Sequence, residues 1–261
     1  MVKIVSWNIN SVRARLTLLD QLMKEDQPDV FCLQETKVED ASFPTAWFND
    51  NGYINHAIKG QKGHHGVATL SRIPLNDIEM IDWCDKGDAR YVGCGLPDGT
   101  RLHNFYVPAG GDEPNPDDNE KFDHKLKFLV EMEAWASKLK DNHILLGDLN
   151  IAPLETDVWS HKQLLKVVSH TPIEIEHMDR VFKSHDWFDV MRHFIPPEEK
   201  LFSWWSYRSK DWANANKGRR LDHIWVSGPL KPKLNNMIVK KEARGWLKPS
   251  DHAPVIIEID L

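Results

Sequence analysis

His143-Ile144-Leu145-Leu146-Gly147-Asp148-Leu149-Asn150 is the stretch on which the fold turns. Three consecutive aliphatic residues predict a short strand with both faces covered. That strand runs to a glycine, and an aspartate and an asparagine follow two residues apart. In extended backbone, alternate residues leave the same face. Asp148 and Asn150 therefore project together from a strand end. A carboxylate can take a proton and an amide can hold an oxyanion, which suits hydrolysis of an ester or a phosphodiester. The same two residue types also form ordinary turns, so their meaning depends on what else converges there.

Working outward, Val30-Phe31-Cys32-Leu33 is a second apolar run, and it opens into Gln34-Glu35-Thr36-Lys37. Residues 2–8 alternate as a strand ending at Asn8-Ile9-Asn10, and Ser11 is placed to cap a helix through about residue 26. A helix over 43–50 stops at Gly52, and strands are expected at 53–58, 66–71, 77–81, 90–95 and 101–107. Phe122, Leu126, Leu129, Met132, Trp135 and Leu139 recur at helical spacing over 119–140. Shorter helices are expected near 162–168 and 175–185, and the last strands at 221–227, 236–240 and 254–259. Strands dominate both halves, with helices between some of them. The pattern predicts an α/β protein of two packed sheets with helices outside, folded as one domain over 1–261.

Composition narrows the class. With 41% hydrophobic and 28% charged residues, the chain has the make-up of a globular protein. No apolar run approaches the roughly 20 residues of a membrane span. The N-terminus enters strand-like sequence at once, without a secretory signature. Cys32, Cys84 and Cys94 lack metal-ligand spacing and read as free thiols, so a reducing, cytoplasmic setting is expected. The net charge of −6 argues against a coat protein for nucleic acid, yet residues 201–250 carry 11 Lys and Arg against 3 Asp and Glu. That segment is either a solvated basic face or a surface for a polyanion.

Polar residues recur at the expected strand ends. Asn8 ends the first, Glu35 follows the second, Tyr106 closes 101–107, and Asp148 and Asn150 end the central one. Asp222 lies in Arg220-Leu221-Asp222, and Ser250-Asp251-His252-Ala253-Pro254 precedes the final strand. Each alone has a bland reading as a cap, turn or core residue. Together they make a candidate hydrolytic site.

In order along the chain, Trp7-Asn8-Ile9-Asn10, Leu33-Gln34-Glu35-Thr36-Lys37, Tyr106-Val107-Pro108, Gly147-Asp148-Leu149-Asn150, Arg220-Leu221-Asp222 and Ser250-Asp251-His252-Ala253-Pro254 closely resemble the exonuclease III branch (AP endonuclease family) of the endonuclease/exonuclease/phosphatase superfamily. Gly60–Ala68 and Phe202–Lys210 look like that branch too, and the resemblance covers residues 3–257. It implies a four-layer α/β sandwich, two packed mixed β-sheets flanked by helices. It further implies a Mg²⁺-dependent DNA repair nuclease, with Mn²⁺ able to substitute, acting on double-stranded DNA at abasic sites and 3′ ends as a monomer away from membranes.

The resemblance distributes roles. Glu35 is the expected direct Mg²⁺ ligand, since Mg²⁺ takes oxygen donors and few carboxylates. Asn8 ligates the ion or holds a water on it, and Asp251 and His252 join the metal-and-phosphate rim with Asp148 and Asn150. Asp148 orients and deprotonates the attacking water, Asn150 donates to the phosphoryl oxygen, and His252 pairs with Asp222. Whether Asp148 or His252 is the base stays open, as does one metal or two. Tyr106 is expected beside the phosphate as a donor or a phenolate. Trp204 and Leu221 match an abasic-site pocket, where aromatic walls select a sugar without its base; Trp205 divides between pocket and core. Arg208, Lys210, Lys217, Arg219 and Arg220 are expected phosphate contacts, and Arg90 with His64 and His65 a weaker set.

Three departures from the resemblance stand out. Ala109 replaces an amide near the phosphate, Arg219 replaces an apolar pocket residue, and Asp157-Val158-Trp159-Ser160-His161-Lys162 is bulky where a DNA-contacting loop runs. They leave the balance between internal cutting and 3′ trimming open. Two other readings remain: a superfamily phosphohydrolase acting on a lipid headgroup, and a non-catalytic DNA-binding module.

Overall fold

In the computed structural model, which describes residues 1–261, the strands are β1 (Val2–Asn8), β2 (Val30–Gln34), β3 (Asn55–Lys59), β4 (Val67–Ser71), β5 (Asn76–Glu79), β6 (Tyr91–Gly95), β7 (Arg101–Tyr106), β8 (His143–Asp148), β9 (Trp187–Asp189), β10 (Trp204–Trp205), β11 (Gly218–Arg219), β12 (Asp222–Ser227), β13 (Leu234–Val239) and β14 (Val255–Ile259). Between them lie the helices α1 (Leu16–Asp26), α2 (Thr45–Asp50), α3 (Glu120–Ala136), α4 (His161–Leu164), α5 (Pro172–Lys183), α6 (Val190–Phe194) and α7 (Trp212–Ala215).

Two six-stranded sheets form, in the orders β13-β14-β1-β2-β4-β3 and β5-β6-β7-β8-β12-β9, with β10 and β11 as a separate hairpin. β1 pairs in parallel with β2, and β7 with β8, while their other neighbours run antiparallel. A parallel pair needs a crossover, and α1 and α3 supply the two.

Three apolar interfaces separate four layers. Ile4, Val30 and Ile257 of one sheet meet Leu102, Ile144, Leu146 and Ile224 of the other in the central core. Val5, Trp7, Phe31 and Leu33 leave the opposite face and pack against Leu18, Leu19 and Leu22 of α1 and Phe48 of α2. On the far side Phe105, Leu145 and Trp225 pack against Phe128, Leu129 and Met132 of α3 and Met178 of α5. Ile144 and Leu146 thus point inward while Leu145 points outward. This is why the opening stretch is apolar at every position rather than at alternate ones. No helix is long and apolar enough to cross a membrane.

Several expected boundaries move. Ser11 caps nothing: its φ of +88° takes it out of a capping conformation, and a 3₁₀ turn over Arg13–Arg15 leads into α1. The helix expected over 119–140 starts from the Asn119 side-chain cap but ends at Ala136, and that near 162–168 is the single turn α4. β9, α6, α7 and the β10–β11 hairpin are too short to leave a periodic signal. Gly147 is not the end of its strand but lies inside β8, at φ +137°, where a Cβ would come 1.9 Å from the Phe105 carbonyl oxygen. Only glycine fits that approach.

The register sets the site. Tyr106, Asp148 and Asp222 are successive register partners across β7, β8 and β12. Asn8 ends β1 in the facing sheet.

Candidate active site

Four segments bring their ends together over that row. The Asn8 side-chain nitrogen donates to Asp148 Oδ2 at 2.9 Å and to Glu35 Oε1 at 2.9 Å, so one amide ties the two sheets. The Tyr106 hydroxyl donates to the same Glu35 oxygen at 2.8 Å. Asp222 Oδ2 lies 2.8 Å from His252 Nδ1, and His252 Nε2 lies 3.6 Å from Asp148 Oδ2. The 250–252 turn is locked from below: Ser250 Oγ donates to the Asn8 carbonyl at 2.6 Å, and Trp7 Nε1 donates to the His252 carbonyl at 2.9 Å. A cavity of about 250 Å³ opens above, lined by Glu35, Tyr106, Ala109, Asp148, Asn150, Trp204, Arg219, Leu221, Asp251 and His252.

Charge within this cluster follows from burial and neighbours. Burial raises the Asp148 carboxyl, and the nearby Asp222 and Glu35 carboxylates add to that against the pull of His252, leaving it at about 7. Burial would lower His252, but the Asp222 and Asp148 carboxylates overcome it and raise the imidazole to about 10. The geometry and the two directions agree: Asp222 accepts from an imidazolium, which presents its other N–H toward Asp148. Burial also acts against ionised Glu35, but donors from Asn8, Lys37 and Tyr106 hold its carboxyl below the usual range. Tyr106 is pushed well above its ordinary value by burial and by the Glu35 and Asp148 carboxylates. Of the two forms open for Tyr106, the neutral donor is therefore present and the phenolate is not.

Asn150 sits at φ +55° just past β8. Its side-chain nitrogen donates to the Val107 carbonyl at 2.9 Å, which fixes the amide plane and commits one of the two N–H groups. Beneath it is a brace that the sequence did not reveal. Fully buried Lys125 donates to the Asn150 carbonyl at 2.8 Å and the Ala109 carbonyl at 3.3 Å, and pairs with buried Glu174. Glu174 in turn accepts from the Ser169 and Thr171 backbone N–H groups. The one available signal was a lysine on the apolar stripe of α3, three residues after Phe122.

A divalent cation fits the oxygen donors of Glu35, Asn8 and Asp148. Lys37 Nζ already stands 2.8 Å from Glu35 Oε2, so the site accommodates positive charge at that oxygen. Asp148, Asp222 and His252 also bring ligand atoms within 4.8 Å of one another. Within that trio Asp222 Oδ2 and His252 Nδ1 are hydrogen-bonded to each other, while His252 Nε2 faces Asp148 at ion-pair distance, so the three form a charge relay of one hydrogen bond and one ion pair.

At the rim, Val158, Arg219, Trp204 and His252 are successive backbone partners, so one ladder carries the rim to His252. Trp204 Nε1 donates to Asp251 Oδ2 at 2.9 Å, and Asp251 Oδ1 accepts from Asn10 at 3.2 Å. The Arg219 guanidinium lies 5.3 Å over the Trp204 ring and donates to Ser169 Oγ at 2.7 Å. Leu221 is buried beneath them, while Arg208, Lys210 and Lys217 are exposed.

Two expected phosphate contacts are corrected. Arg90 is buried, donates to Asp88 at 2.9 Å and lies 5.1 Å over the Tyr106 ring, so it braces Tyr106 and is not a free surface cation. Arg220 is buried between Asp157 and Asp189. Trp205 is core, packed on Phe202 and Ala253.

Comparison with known proteins gives a consistent result. The endonuclease/exonuclease/phosphatase family model matches residues 5–252. Exodeoxyribonuclease III of Haemophilus influenzae is 33% identical, over 98% of this chain and 99% of its own. An AP endonuclease structure from Archaeoglobus fulgidus superposes with a TM-score of 0.92 at 32% identity, covering both chains fully. A 3′ phosphatase from Neisseria, solved with a product DNA hairpin, superposes with a TM-score of 0.92 at 28% identity, again over both whole chains.

Proposed function

The chain belongs to the endonuclease/exonuclease/phosphatase family, in its exonuclease III branch, and from that premise we propose that it is a Mg²⁺-dependent DNA repair nuclease that hydrolyses phosphate esters at abasic sites and 3′ ends. The observation that carries the reading is the Asp222–His252–Asp148 relay, whose His252 and Asp148 line one cavity with Glu35 and Tyr106, with Asn8 bonded behind Glu35 and Asp148 and with Trp204 and exposed cations at the rim. It acts as one domain over 1–261.

The residues divide the work as follows. His252, kept protonated by Asp222, binds the scissile phosphate as a cation and donor. With its own pair engaged, it is no base, and that role falls to Asp148, whose raised pKa suits it to take a proton from water near neutrality. Asn150, with its plane fixed by Val107, aims its second N–H at the phosphoryl oxygen. Tyr106 donates to Glu35 and orients it. Glu35, with Asn8 and Asp148 beside it, would hold Mg²⁺ or Mn²⁺, which when bound neutralises charge on the phosphoryl oxygens. Trp204 and Leu221 wall the space for the sugar, and Arg208, Lys210 and Arg219 face the phosphate backbone.

Three duplexes offered in Mg²⁺ test this: one abasic, one ending in a 3′-phosphate and one with a plain recessed 3′ end. Cleavage of at least one, abolished by a chelator, is expected. Inertness toward all three with cutting of a soluble phosphoinositide headgroup would hand the site to the lipid reading.

A further inference from the structure

The catalytic cavity does not end at Trp204. Trp204, Arg219, Gly111 and Val168 line it and also line a second recess of about 740 Å³, which continues outward to Trp159, Arg208 and Lys217. Trp204 and Arg219 are register partners on β10 and β11 with the guanidinium over the indole, so their stack is a sill between the two spaces. Beyond it, Trp159 is held in place by its backbone N–H, which donates to the Gly218 carbonyl at 3.1 Å. Its indole rests on the cluster of Ala152, Val158, Leu164 and Leu221 and carries Lys217 Nζ at 4.6 Å from the ring.

A recess with an aromatic wall, a valine floor and three cations is not needed for a sugar without its base. For a phosphate held at His252 with its sugar on Leu221, the shared Trp204–Arg219 sill opens a way out for an attached base into the second recess. An indole face is a stacking platform for any base, and Lys217 and Arg208 supply charge for the phosphate that accompanies it. We infer that this recess is a nucleobase subsite, with Trp159 its stacking wall, which receives the base of an unpaired but intact 3′-terminal nucleotide. The inference rests on the nuclease reading above and adds a specificity residue to it. Lys217, exposed and on a flexible stem, moves from the ring to the phosphate as the base takes the indole face. The bulk of the 157–162 segment is then a binding wall for the substrate.

The test uses the whole protein and two duplexes, one ending in a mismatched 3′ nucleotide and one ending in a 3′-phosphate, whose terminal group carries no base into the recess. Trp159→Ala is expected to lower kcat/KM on the mismatched end by roughly tenfold or more, the scale of one stacked base, and to leave 3′-phosphate removal within about twofold. Trp159→Phe restores most of the loss. A 2-aminopurine placed at the mismatched end is quenched on binding to the wild type in the absence of metal, and less so with Trp159→Ala. Equal effects on the two duplexes, or no effect on the mismatched end, overturn the subsite. A wild type that cuts neither duplex overturns the nuclease reading instead.

Discussion

Asp148 and His252 lie 3.6 Å apart, and the opposite roles proposed for them follow from the hydrogen bond that Asp222 makes to His252 alone. The residue that pairs with a buried carboxylate keeps its proton, and the one left among like charges is the acceptor. Asp148→Asn is accordingly expected to cut kcat by roughly 10²–10⁴-fold, the usual weight of a general base, with duplex affinity retained; binding and single-turnover assays separate the two. Asp222→Asn removes the charge that holds His252 protonated. Its imidazole should then titrate well below the wild-type value of about 10, which proton NMR of the metal-free protein reads directly. An unchanged titration would show that Asp222 does not set the proton on His252. Of this site, Asn8, Glu35, Asp148, Asp222 and His252 were legible as residues. The pairing of His252 with Asp222 was expected only from the family resemblance, because the two are thirty positions apart, and the approach of Asp148 to that pair depends on the register of β8 with β12.

At the scale of elements, the site depends on what braces the loops between strands and helices. Lys125 of α3 and Glu174 of α5 are fully buried, and together they hold the Ala109, Asn150 and Ser169 segments. Removing one partner leaves the other charge uncompensated. Lys125→Met should therefore cost about 3–5 kcal/mol in urea unfolding, and turnover should fall further than the folded fraction because Asn150 loses its carbonyl donor. Lys125→Arg keeps the charge and recovers part of both. Gly147 constrains the same region from the other side. Gly147→Ala places a Cβ against the Phe105 carbonyl, which forces β7 and β8 apart under Tyr106 and Asp148; loss of cooperative unfolding, or a much lower Tm, is expected. The long periodic elements were readable from sequence. The short ones that shape the rim, β9, α6 and the β10–β11 hairpin, were not, since two or three residues carry no period and are held by pairing with distant strands.

Across the whole molecule, charge and burial set the response to solvent. Burial and the neighbouring Arg220 lower His223 to about 4 from an ordinary 6.5, and burial holds His103 well below its ordinary value too. Such groups bind protons only on unfolding. Their contribution is complete above about pH 6.5 and is lost as pH falls toward 4, where His223 alone accounts for about 3 kcal/mol. Unfolding free energy should fall over that window, and less steeply in His223→Gln. His252 acts in the reverse sense, stabilising at neutral pH and ceasing to do so as pH rises through 10. The exposed cations of the rim predict strongly salt-dependent binding, with Arg208→Ala reducing the slope of log affinity against log salt by about 1.

The sequence by itself determined the architecture and the residue types of the site. Short runs apolar at every position and bounded by turn signals read as strands covered on both faces, and packed sheets can bring the polar ends of such strands to one rim. Tertiary structure alone decided the state of each group. It kept Tyr106 protonated, removed Arg90 and Arg220 from the surface, seated Lys125 under Asn150 and placed Trp159 beside the catalytic cavity. Those outcomes depend on desolvation and on partners remote in the chain, and both exist only once the sheets have closed on one another.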